Sequence, residues 1–362
     1  MVGLGLSGRS GWLRAAAAAI ACASVLVLSA CDLRLESDPT SFPSPDATTV
    51  ARNSLADAEA AVLAAATDAG ASAEAVAAGA AATARAHIEA LGGVYVAYPG
   101  ATPSPSPSAE PGPNLARAIE AVRTTAADVA ATTKDANLAF LARSIDLDWA
   151  LRELWAARSA AAHAAAADRV AAADATQSSG SPTPDLSASG PAPAALPGDS
   201  GDTFFPLADG TTSDGAGFAP QGATGIGVEK LSALALAEDE ARFAYETIAA
   251  LEFDALQDQV LARSRLHAAR SDALTSLIAS DPRTPLYQLR DANLAEPGSR
   301  EALERSIEID LGARYAALLD GASAADAAWL LNAAFDSYAR AMATAGFTTA
   351  ELPTLPGLHV GA

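Results

Sequence analysis

Apolar side chains return at every third or fourth residue along eight stretches of this chain, the spacing of one face of an α-helix. Few segments alternate with the period of two that a half-buried strand needs, and aromatic residues make up only 5% of the 362 residues. Alanine dominates the apolar positions. It is the best helix former and loses no side-chain entropy on ordering. The fold class that follows is all-α. Helices are expected at 46–67, 71–91, 114–132 and 135–174, then at 228–251, 254–279, 299–319 and 323–345. Alanine-rich helices pack closely, but each buries little apolar area.

Cysteine is nearly absent, with only Cys22 and Cys31. Both lie near a basic start (Arg9, Arg14) followed by an apolar run of 14 residues from Ala15 to Leu28. Spanning a bilayer takes roughly 20 residues, so a signal peptide fits better than a membrane helix. The sequence Leu28-Ser29-Ala30-Cys31 resembles the lipobox of bacterial lipoproteins. There the signal is cut before the cysteine, whose sulfur then carries a diacylglyceryl anchor. A cleaved, non-lipidated signal is the alternative. Residues 1–30 are therefore expected to be a lipoprotein signal peptide, Cys31 the lipidation site and 31–45 a Pro/Ser-rich tether. The expected location is the extracytoplasmic face of the cell membrane. Cys22 leaves with the signal and Cys31 is blocked, so no disulfide is available and packing alone must supply stability.

The formal net charge is −20, and loss of Arg9 and Arg14 with the signal makes the remainder more acidic. Nucleic acid and anionic lipid would be repelled. Nucleic acid is therefore not expected as a partner, and membrane association is assigned to the lipid. Any further partner would be an envelope protein or ligand of unknown identity.

Residues 176–226 are rich in Ser, Gly, Pro, Thr and Asp without helical period, and read as a disordered linker. This divides the chain into a helical domain at 46–175, a second at 227–347 and a C-terminal tail at 348–362. Each half reads helix, helix, proline-tyrosine loop, helix, helix. The third helices share L-x-R-x-I-E, as Leu115 to Glu120 and Leu303 to Glu308. Asp148 and Asp336 follow 28 residues later, with Arg152 and Arg340 four beyond. The second helices carry Arg85-Ala86-His87 and Arg265-Leu266-His267; Glu59 and Glu238 precede these histidines by 28 and 29 residues. An internal duplication is expected.

Helical rotation puts charge on apolar stripes. Glu238 falls among Leu231, Leu234, Ala241, Tyr245 and Ile248. His267 falls among Leu256, Val260, Leu274 and Ile278, with Arg270 beside it. Glu304 sits within the stripe of Leu303, Ile307, Leu311, Tyr315 and Leu318, and Glu308 at its edge. A carboxylate there must find a partner or shift its pKa. A buried cluster of Glu238, His267, Arg270, Glu304 and Glu308 is expected. In the first half Glu59, His87 and Asp148 lie on apolar faces, Arg152 follows Asp148 at i+4, and Glu120 lies off its stripe. Asp336 is expected to point away from the apolar face of its helix.

Residues 228–345 resemble the ferritin-like domain of unknown function found in envelope proteins of high-GC Gram-positive bacteria. The matching stretches are Leu236-Ala237-Glu238 with Phe243-Ala244-Tyr245, Leu266-His267 with Arg270-Ser271-Asp272-Ala273-Leu274, Pro285 to Leu289, and Ile307-Glu308 with Arg314 to Leu318. Asp239 stands where the family usually has His, and Ala269-Arg270 where it tends to have two arginines. The resemblance implies a ferritin-like four-helix bundle with no established reaction. The first half matches only through the internal repeat, as a degenerate copy, so two ferritin-like four-helix bundles joined by the linker are expected. Ferritin-like di-iron sites need Glu from two helices and Glu-x-x-His from the other two. Ser264 precedes His267 at i−3 and the helix 323–345 has no Glu or His, so that set is incomplete. A single weakly held iron or other divalent ion on Glu238, His267 and Glu308 is the alternative to no cofactor. The expected role is a non-enzymatic binding or structural envelope lipoprotein, with metal binding or oxidation as the runner-up.

Overall fold

In the computed structural model the described residues are 45–68, 74–95, 114–178, 220, 223–289 and 293–358, with backbone alone at 74–78 and 161–178. The signal, Cys31, nearly all of the tether and most of the 176–226 linker lie outside them. All regular structure among them is helical: α1 Ala47–Asp68, α2 Glu74–Ala90, α3 Leu115–Thr132, α4 Ala136–Ser178, α5 Val228–Ala249, α6 Asp254–Thr275, α7 Pro297–Ala317 and α8 Ala324–Ala343, then a 3-10 turn at Thr349–Glu351. Among the described residues no helix is long and apolar enough to cross a membrane.

Local chemistry sets the helix starts. Asn114 accepts from the Arg117 amide at 2.9 Å ahead of α3, and Ser323 from the Asp326 amide at 3.1 Å ahead of α8. Asp135 caps α4 through the Leu138 amide at 3.0 Å, and Pro297 opens α7 where no amide donor is needed.

Packing follows chain order within each half. α1 lies on α2 and α3, and α3 on α4; α5 lies on α6 and α7, and α7 on α8. Across the halves α4 packs on α8, and the described residues from Asp46 onward form one compact unit. Leu55, Val62, Ala84, Val122, Ala126, Ile145 and Trp149 belong to one core among α1 to α4. Leu231, Leu234, Leu311, Tyr315, Leu330 and Phe335 belong to a second among α5, α7 and α8. A small third cluster joins Tyr245, Ile248, Val260 and Leu303.

α4 serves two cores at once. Leu138, Ala142, Ile145 and Trp149 enter the first, while Phe140, Leu147 and Leu151 enter the second. At 100° per residue these two stripes lie on opposite sides of the helix. α8 serves the second core alone but is buried nearly all round, with 15 of its 20 residues buried. Asp336 is therefore buried, which corrects the expectation that it points outward: an apolar stripe marks an inside only when the helix has an outside. Leu256 is 48% exposed, so the α6 stripe begins at Val260 and not at Leu256.

The segment expected to be a tail is also packed. Leu352 joins the second core and Leu355 the first, with Leu358 against both.

α7 packs against α8 at Gly312, where a Cβ would stand 2.8 Å from the Tyr338 ring. Gly312→Ala should lower stability by about 1–3 kcal/mol despite its better helix propensity. Gly298→Ala, with open space around it, should change stability by under about 1 kcal/mol. Urea unfolding midpoints of both variants check this.

Candidate functional site

Two buried polar clusters stand out, one in each half, and each is built around a histidine of the second helix. His267 of α6 sits with its Nδ1 2.6 Å from Glu238 Oε2 of α5 and its Nε2 3.3 Å from Glu308 Oε1 of α7. The Arg263 guanidinium, one turn earlier on α6, grips Glu308 with two bonds: Nε donates to Oε1 at 2.6 Å and Nη2 to Oε2 at 2.7 Å. Its third nitrogen, Nη1, donates to Asp336 Oδ2 of α8 at 2.6 Å. Arg270 Nη2 reaches the same Asp336 oxygen at 2.6 Å, and Arg270 Nη1 lies 3.8 Å from Glu238 Oε1. Tyr245 donates to Glu308 at 2.8 Å, and Tyr315 donates to Glu238. At the edge Arg340 Nη2 donates to Glu304 at 3.2 Å.

Glu238, His267, Arg270 and Glu308 are thus joined in one network, and Glu304 lies at its edge on Arg340, so the ranking differs from the expected one. Glu308 is fully buried and central, and Glu304 is peripheral. The sequence reading missed Arg263 and Asp336, and counted Tyr245 and Tyr315 only as apolar. Arg263 was findable: Val260, Arg263, His267, Arg270 and Leu274 follow three-and-four spacing. Because the buried stripe of α6 is itself charged, its amphipathic signal nearly vanishes.

The electrostatics close internally. Four carboxylates (Glu238, Glu304, Glu308, Asp336) meet three guanidinium groups (Arg263, Arg270, Arg340) and His267. The cluster is neutral when His267 is protonated. Burial works against the imidazolium, but Glu238 and Glu308 outweigh it and raise the His267 pKa. Burial likewise opposes ionisation of Glu308, and Arg263 with His267 overcomes it, holding that carboxyl well below its usual range. Asp336 is lowered in the same way by Arg263 and Arg270. At Glu304 burial prevails over Arg340, and the pKa is raised.

The first half repeats the motif with different support. His87 Nδ1 lies 2.6 Å from Glu59 Oε1, the same nitrogen and distance as in the second half. Its Nε2 lies 2.9 Å from Asp148 Oδ2 of α4. Trp149 Nε1 donates to Glu59 Oε1 at 2.9 Å and stands edge-on to the imidazole. Arg152 pairs with Asp148 at 2.7 Å, as its i+4 spacing implies. Two carboxylates thus meet one guanidinium and one imidazole. Glu120 is exposed and takes no part.

For a metal ion the second cluster offers three named side chains but not an open face. Glu238 and Glu308 occupy opposite nitrogens of His267, and Arg263 covers both oxygens of Glu308. Among the described residues no group of three or more His, Cys, Asp or Glu side chains is disposed to hold a metal ion. Asp239, where the resembled family usually has His, accepts from Tyr287 at 2.7 Å and from Arg242 at 2.6 Å. The His163 side chain and His359 lie outside the described residues.

Breaking one partner of such a network strands a buried charge. Arg263→Met should destabilise by roughly 3–5 kcal/mol, far more than removing an exposed pair such as Arg314 with Asp310. Chemical denaturation of both variants tests the difference. The histidines add a pH signature. Burial lowers the His87 pKa, but Asp148 and Glu59 outweigh it and raise the value from 6.5 to about 9. A raised folded-state pKa means stability that is complete below pH 6.5 and lost as pH climbs through about 9. The loss at that site is roughly 3 kcal/mol. Urea midpoints should fall across this window, and His87→Gln should flatten the fall. A midpoint constant or rising with pH there would contradict the ion pairing.

No family model, curated protein or solved structure matches the chain.

Proposed function

We infer that this chain is a membrane-anchored lipoprotein of the extracytoplasmic face. It carries two diverged ferritin-like four-helix units and serves a non-enzymatic structural or binding role. The observation that carries the non-enzymatic part is the closure of the second cluster. Both oxygens of Glu238 and of Glu308 are bonded, and His267 has both nitrogens engaged, which leaves neither carboxylate nor imidazole there as an open base or ligand. In the first cluster His87 likewise has both nitrogens engaged, while Glu59 keeps one buried oxygen without a hydrogen bond. A divalent ion on Glu238, His267 and Glu308 would have to displace Arg263 and the imidazole proton, so the donor set does not fit a metal centre. The recurrence of the histidine–glutamate bond in both halves supports descent from one duplicated unit. The anchoring part rests on Leu28 to Cys31, and the acidic surface argues against a nucleic-acid partner.

Two measurements test this reading. Expressed with its leader in a Gram-positive host, the chain should incorporate labelled palmitate and partition into detergent. Cys31→Ser should do neither; an unlabelled, aqueous parent protein sinks the anchor. After incubation of the purified protein with ferrous iron or zinc and desalting, metal should remain substoichiometric. Stoichiometric metal that is lost in both Glu238→Ala and His267→Ala would establish a metal site instead.

A further inference from the structure

We propose that residues 345–358 are a latch that couples the stability of the two halves. This segment leaves α8 and crosses the seam between the cores. Phe347 packs on Trp155 of α4 at 5.4 Å between ring centroids. A capping box at Thr348 and Glu351 then fixes the 3-10 turn, with Leu352 sunk in the second core. Three residues on, Leu355 plugs the first core and is 4% exposed. The Ser144 hydroxyl of α4 donates to the Pro356 carbonyl at 2.7 Å, one helical turn from Asp148. The near end is pinned from α7: Arg305 donates to the Ala345 carbonyl at 2.6 Å and pairs with Glu351 at 3.1 Å.

The path is strained where it crosses. Leu355 has φ +57°, a left-handed conformation that a branched apolar side chain rarely adopts. Gly357 has φ +87°, and a Cβ there would stand 2.6 Å from the Ala316 carbonyl carbon. Strain of this kind persists only where the surroundings over-determine it, and here burial of Leu355 does so. A short segment held by a few apolar side chains, one hydroxyl and one arginine opens at less cost than a helix buried on all sides. Its release takes a side chain from each core simultaneously.

Arg305 separates coupling from a local effect, because its contacts to the latch lie on the second half while the plug lies in the first. Native-state hydrogen exchange of the full chain, read by mass spectrometry, is the measurement. In Arg305→Met, amides of α1 to α3 should exchange several-fold faster, although Arg305 contacts no residue of those helices among the bonds that hold the latch. Leu355→Asp should speed exchange in α1 to α3 by roughly tenfold or more, since a carboxylate replaces the plug. If Arg305→Met alters exchange only in α7 and 345–358, the coupling is overturned. The Arg305 variant decides the matter even should Leu355→Asp fail to fold.

Discussion

One guanidinium holds three helices in register. Arg263 satisfies both oxygens of Glu308 on α7 and one oxygen of Asp336 on α8 while itself belonging to α6. Around it the faces of the fold are rich in alanine: Ala235, Ala241, Ala244, Ala316, Ala333, Ala334 and Ala341 are all buried. An alanine stripe buries little area and offers few features to distinguish one axial register from the next. A rigid fork bonded to two carboxylates on two helices allows one. The charges are costly to bury, and the cost is met only when every partner is in place. The same network that makes the core expensive therefore makes alternative packings more expensive.

The two halves show which part of this arrangement is constrained. Both keep a second-helix histidine bonded through Nδ1 to a first-helix glutamate. They differ in what meets the other nitrogen: Asp148 on the fourth helix in the first half, Glu308 on the third in the second. Metal coordination would require donors aimed at a common point, and exchange of helices would destroy it. Charge closure requires only that an anion arrive at the vacant imidazole edge. The substitution of Trp149 in one half for Tyr245 and Tyr315 in the other obeys the same rule, since each supplies a donor to a buried carboxylate oxygen.

The helices and the histidine–glutamate pairs were legible in the sequence because both rest on spacing. Glu238 and His267 stood out as charges in the middle of apolar stripes, and such residues cannot be buried without a partner. What was not legible has several causes. α4 is buried on opposite faces and the stripe of α6 is charged, so the contrast between wet and dry sides is nearly absent in them, while α8 keeps an apolar stripe but is buried beyond it as well. Arg263 was missed because the charged stripe of α6 hides its face, and Asp336 because the face of α8 away from its apolar stripe is buried too. Leu352, Leu355 and Leu358 repeat every third residue, but Pro353 and Pro356 interrupt them, so the latch carried neither a helical nor a strand period.

The acidic balance acquires a location from these pairings. The second cluster sets four carboxylates against four cationic groups and the first sets two against two. Buried Asp146 faces Arg123, and buried Asp239 faces Arg242. Asp326 is the exception, held by Thr224, Ser323 and the Gly225 amide at the start of α8, where the helix dipole favours an anion. Among the described residues the interior is therefore nearly neutral, and the acidic excess of the folded part falls on groups in contact with solvent. Such a surface keeps the molecules apart from one another and from anionic headgroups. The anchor proposed at Cys31 accords with this, since an acidic folded surface has no attraction of its own for anionic headgroups.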